Sequence, residues 1–178
     1  ECVLRILKDS FGTLLISCGI LFAGMISLIL FLSCMRTKNK MKFEVRNEIL
    51  LNLGIFSLLI AIWSLDQCGF MQFLVPDGRT LYYIDFFSFL LFPIPFTFLI
   101  HDICKSKYRK GVMCLSILFM VNIALEVILQ CAGIIDIFQL LSVTHILMMF
   151  SVIYTFIIIH YEAVKLENRA AREFKYPV

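Results

Sequence analysis

The sequence predicts an all-α membrane protein, an antiparallel bundle of about five transmembrane helices with its amino terminus outside and its carboxyl terminus inside. Three observations predict it. Of the 178 residues, 61% are hydrophobic and 16% charged, with a mean hydropathy of +0.92, whereas a soluble domain averages about 45–50% apolar and about 25% charged. The apolar residues fall in blocks long enough, at about 1.5 Å per residue, to cross roughly 30 Å of hydrocarbon. The basic residues collect between alternate blocks.

The blocks are residues 11–34, 49–74, 81–104, 111–134 and 139–161, followed by a charged tail over 162–178, and the whole chain, 1–178, reads as one transmembrane domain. Helices are expected because lipid offers backbone amides no partner, and barrel strands would alternate apolar with polar residues. The second block is cleanly apolar only as far as Leu65, so its outer end is expected to leave the bilayer as an amphipathic continuation. Val75-Pro76-Asp77-Gly78 reads as a turn, with Pro fixing φ and Gly free to take positive φ. Pro93 and Pro95 fall inside the third block, where they should kink or locally unwind the helix, as a packing kink ahead of the sharper alternative, a hinge. Gly19, Ala23 and Ser27 make a small-residue face on the first helix, suited to close packing within the chain or to a homodimer.

Orientation follows from charge. Arg36, Lys38, Lys40, Lys42 and Arg46 follow the first block; Lys105, Lys107, Arg109 and Lys110 follow the third; Lys165, Arg169, Arg172 and Lys175 lie in the tail. These are 13 of the 16 basic residues, against Arg5, Lys8 and Arg79 on the other side. Basic flanks stay in the cytoplasm, which makes the chain a multi-pass protein of the cell membrane with the bilayer as its first partner.

No Gly-rich phosphate loop, zinc-ligand pair or nucleophile elbow occurs, so no catalytic residue, metal or cofactor is expected, and no nucleic-acid partner. The seven cysteines show no C-x-x-C pair and lie mostly in apolar blocks, although Cys68 and Cys131 share the outer side. The informative residues are polar ones inside the blocks, because an ionisable group in hydrocarbon is costly. They are Asp66, Asp85, Asn122, Glu126, Gln130, Thr144 and His145, which we read as lining an outward-facing ligand site. Asn122, Glu126 and Gln130 share one helix face, and His145 is placed in sequence to pair with Glu126. Interhelical hydrogen bonding that only holds the bundle together is the competing reading. His101 and His160 fall near cytoplasmic helix ends, where an interfacial position accounts for them.

Ala61-Ile62-Trp63-Ser64-Leu65-Asp66, Met71-Gln72-Phe73-Leu74, Leu90-Leu91-Phe92-Pro93-Ile94-Pro95-Phe96 and Leu129-Gln130-Cys131-Ala132-Gly133-Ile134-Ile135-Asp136 with Thr144-His145 together resemble the membrane region of bacterial seven-transmembrane sensor receptors with diverse intracellular signalling modules, as found in GGDEF diguanylate cyclases. The resemblance implies a sensory and signal-transmission module that receives a small-molecule signal or one from an extracytoplasmic domain. It also implies an output module beyond the membrane region, a diguanylate cyclase or a histidine kinase. The chain begins with Glu1, so it is expected to be an excised piece with five of seven helices visible. The alternative is a small transporter or permease subunit that uses the intramembrane acids as its path.

Overall fold

The computed structural model describes residues 2–36, 44–104 and 109–165. Lys38, Lys40, Lys42, Lys105, Lys107 and the tail beyond Lys165 lie outside the described residues. Seven helices occur among those described: α1 (Cys2–Arg36), α2 (Glu44–Gln67), α3 (Met71–Leu74), α4 (Gly78–Leu91), α5 (Pro93–Cys104), α6 (Arg109–Cys131) and α7 (Ile137–Lys165). Five segments are long and apolar enough to cross a membrane: Phe11–Arg36, Asn47–Gln67, Gly78–Ile103, Arg109–Cys131 and Phe138–Tyr161. The third combines α4 with α5. The chain divides into two compact units, Glu1–Pro95 and Phe96–Val178.

Helix boundaries differ from the sequence reading for identifiable reasons. The second apolar block does not run on to residue 74, because Gly69 adopts φ 69° and stops α2 at Gln67. Phe70 N–H then reaches back to Leu65 O at 3.2 Å and Gly69 N–H to Asp66 O at 2.7 Å, satisfying carbonyls that the helix end would leave open. The fourth block ends in the same way. Gly133 takes φ 65°, and Ile134 N–H donates to Leu129 O at 3.1 Å, so α6 stops at Cys131. Gly78, expected at positive φ, is instead the first residue of α4, and Asp77 before it is the N-cap. The helix break by the prolines is confined to Phe92, whose φ −63° and ψ −26° stay in the right-handed helical region. Pro93 then opens α5, a position where its missing N–H costs nothing.

In the first unit α1 and α2 run antiparallel. Ser17 Oγ meets Ser64 Oγ at 2.6 Å, and Gly24 lies against Ser57, Gly54 and Leu58. A Cβ on Gly24 would stand 3.0 Å from Ser57 Cβ, 3.2 Å from Gly54 O and 3.2 Å from Leu58 N. The close approach therefore uses Gly24. Around Gly19, expected to serve this purpose, nothing lies within 4 Å of such a Cβ. α4 packs antiparallel to α2 through aromatic pairs, Trp63 with Phe89 at 5.7 Å and Phe56 with Phe92 at 6.2 Å. In the second unit α6 and α7 are antiparallel, joined by a short turn that Asp136 caps by accepting from Phe138 N–H at 3.2 Å.

The distribution of side chains is inverted relative to a soluble protein. Among the described residues the buried set includes many polar side chains (Ser17, Ser27, Ser57, Ser88, Thr97, Asp102, Ser116, Glu126, Thr144, Ser151), while Leu15, Phe22, Ile29, Ile117, Phe150 and Phe156 lie outermost. Water would penalise that arrangement and hydrocarbon would not.

Two measurements check this account. Gly24→Ala sets a methyl within 3.0–3.2 Å of Ser57 Cβ, Gly54 O and Leu58 N, so the two helices must part slightly and it should destabilise by about 1–3 kcal/mol, whereas Gly19→Ala should melt within about 0.5 kcal/mol of the parent; thermal unfolding in detergent micelles compares them. The Asp77 carboxyl accepts from the Thr80 hydroxyl at 2.6 Å and from the Thr80 and Arg79 N–H groups, which hold its pKa below the ordinary 3.8. A depressed folded pKa gives a cap that is fully effective above the unfolded value and lost as pH falls through the folded one. Hydrogen exchange at Arg79 and Thr80 should accelerate on acidification below that ordinary value in the parent, and in Asp77→Asn it should show no such inflection.

Candidate functional site

Asn122 and Glu126 stand one turn apart on α6 and face Thr144 on α7. Asn122 Nδ2 donates to Glu126 Oε1 at 2.8 Å and to Thr144 Oγ1 at 2.8 Å, and the Thr144 hydroxyl donates to Glu126 Oε1 at 2.6 Å. One carboxylate oxygen thus collects two donors while the asparagine amide bridges the helices. Glu126 is 2% exposed and Thr144 fully buried. The other oxygen, Glu126 Oε2, is buried with no hydrogen-bond partner among the described residues. An acceptor left open in an apolar surrounding is costly, and it is the place where a donor from outside the chain would be most strongly held.

The rest of the expected constellation divides. Gln130 is half-buried one turn further along α6. His145 does not join Glu126. It is exposed, and its Nδ1 donates to Leu141 O at 2.7 Å on its own helix. Successive residues on a helix are about 100° apart, so with Thr144 turned inward its neighbour points outward. Asp66 and Asp85 belong to the first unit. There Gln67 Nε2, beside Asp66 at the end of α2, donates to Asp85 Oδ1 at 3.3 Å. Apart from His145, the expected site residues thus fall in two separate polar groups.

A third polar group, His101 with Asp102, lies outside the expected site. His101, expected at the interface, has a side chain only 11% exposed, and its Nδ1 lies 3.0 Å from Asp102 Oδ1, itself 8% exposed. His101 Nε2 is buried without a hydrogen-bond partner among the described residues. It borders a cavity of about 20 Å³ that Thr97, Tyr154 and Thr155 also line, room for about one water molecule with polar groups to hold it. Adjacent residues on a helix carry no spacing signal, so in the sequence His101-Asp102 alone is too little to mark a site. Cys68 and Cys131 are free thiols, Cys68 buried and Cys131 exposed. Burial, and secondarily the neighbouring Cys18, pushes the Cys68 thiol pKa up.

Fold and site together define a class: an all-helical chain with five membrane-length apolar segments and polar groups gathered between them. Comparison with protein-family models, with curated proteins and with solved structures finds no match.

If the amide bridge holds α6 to α7, Asn122→Ala and Thr144→Val should be non-additive in a double-mutant cycle. The coupling expected for a hydrogen bond between membrane helices is about 0.6 kcal/mol and at most about 1.7 kcal/mol. His145→Ala should change stability by less than about 0.5 kcal/mol. Additive losses at Asn122 and Thr144 would contradict the geometry.

Proposed function

We propose that the chain is the sensory and signal-transmission module of a multi-pass bacterial membrane receptor, with its amino terminus outside, its carboxyl terminus inside and a cytoplasmic output module beyond it, such as a diguanylate cyclase. The observation that carries this reading is Glu126. A carboxylate buried in a membrane-length segment, with one oxygen bonded across to α7 and the other open, can be satisfied differently in two helix arrangements. Only such differential interaction lets a signal shift an equilibrium. From Thr144, α7 continues unbroken to Lys165, about 32 Å at 1.5 Å per residue. A displacement at the polar site would therefore reach the opposite end of the helix without a flexible joint. The interruption at Phe92 adds a second element able to move, and the boundary between the two units falls beside it, at Pro95. The 13 basic residues collected on one side support the orientation.

The test is output from the complete gene product in membranes. Glu126→Gln should change nucleotide-cyclase or kinase activity, or its response to signal, by at least about fivefold, the lower end of typical allosteric coupling, with membrane expression unchanged. Solute uptake by liposomes carrying this chain alone, abolished by Glu126→Gln, would replace the receptor reading with the transporter one. A membrane-impermeant thiol reagent that labels Cys34 from outside intact cells would reverse the orientation.

A further inference from the structure

We propose that the groove between α6 and α7 seats one acyl chain of an acidic phospholipid, whose headgroup is held by Lys110 and Arg109. The two helices touch at both ends of this stretch. At one end stand the Asn122 and Thr144 bonds; at the other the Tyr154 phenol lies against Gly111, in the space a side chain there would enter. Between them the helices leave a groove of about 390 Å³ lined by Gly111, Cys114, Leu118, Leu147, Phe150 and Tyr154. Cys114, Leu118 and Phe150 are exposed, so the groove opens outward.

Its length and its charge select the occupant. From Gly111 to Leu118 the groove follows α6 for about 10 Å, within the roughly 15 Å that one leaflet contributes to the hydrocarbon core. It starts directly after Arg109 and Lys110, both exposed, and Lys110 shares a face with groove-lining Cys114 four residues on. Between Ile103 and Leu125 the sequence has four basic residues and no acidic one. An apolar slot one leaflet deep with cations at its mouth matches an acidic phospholipid better than a zwitterionic one. The inference rests on α6 and α7 being membrane spans.

The experiment reconstitutes the chain in bilayers of equal phosphatidylglycerol and phosphatidylcholine, extracts it, and counts retained lipids by native mass spectrometry. The parent should retain one phosphatidylglycerol in at least about fivefold preference to phosphatidylcholine. Lys110→Gln should lower that preference about fivefold, the effect expected of one basic residue at an acidic surface, and Leu118→Trp, which fills the groove, should abolish retention. Leu118→Phe, with thermal unfolding as the check, serves if the tryptophan variant does not fold. Equal retention of both lipids, undiminished retention in a folded groove-filled variant, or a lipid-free dimer with the groove covered by a second copy would each overturn the proposal while leaving the membrane reading intact. A chain that does not insert into bilayers at all would overturn both.

Discussion

Hydrocarbon supplies no hydrogen-bond partners, so each polar side chain on these apolar helices must find its partner within the protein or come to a helix end. Most features of the structure answer to that constraint. Serines and threonines occupy the interior because their hydroxyls can be satisfied locally: Ser17 donates to Thr13 O at 2.7 Å and Ser116 to Val112 O at 3.0 Å. Several of the larger polar groups bond between helices as well. Asn122 and Glu126 reach across to Thr144, and Gln67 reaches across to Asp85. Such crossings fix the rotation of one helix against another, which leucine and isoleucine, equally content against lipid, do not.

Dispersion supplies the second requirement, since lipid competes with protein for apolar contact and only close approach makes the protein the better neighbour. Gly24 and Gly54 provide it between α1 and α2. Ser57 lies against Gly24, and Ser17 meets Ser64 further along the same contact, so short side chains stand at these points where the two backbones draw near. Large apolar side chains are displaced outward by the same geometry, which is why the exterior is rich in Phe, Ile and Leu.

The helical class and the existence of five long apolar segments were legible in the sequence, because composition and block length follow directly from the thickness of the solvent the chain must cross. Face-level detail was less so. Gly19, Ala23 and Ser27 recur every four residues, a row that turns by about 40° at each step and so wanders off any one partner. Ser17 and Gly24, seven apart, drift by only about 20° and stay on it. Likewise Asn122 and Glu126 could be found from their shared face, but whether Thr144 or His145 met them depended on the rotation of α7, which apolar composition leaves open. The stops at Gly69 and Gly133 were missed since a glycine at positive φ is set by the helix end it completes, and hydropathy passes over it.

Magnitudes decide how the Asn122–Glu126–Thr144 group should be understood. Hydrogen bonds between membrane helices average about 0.6 kcal/mol each, so its two bonds across the interface amount to only about 1 kcal/mol, less than a tenfold bias. Moving an equilibrium from one extreme to the other needs roughly 5.5 kcal/mol. The bonds therefore cannot lock α6 to α7 by themselves; they set rotation while packing supplies the rest. Glu126 Oε2 changes that balance, because leaving a buried acceptor open costs on the order of 1–3 kcal/mol. In the described arrangement this cost opposes the bonds made by the other oxygen and is of the same size or larger. On the proposed receptor reading, a donor delivered to Oε2 would therefore act on the helix pair with more leverage than the loss of either existing bond.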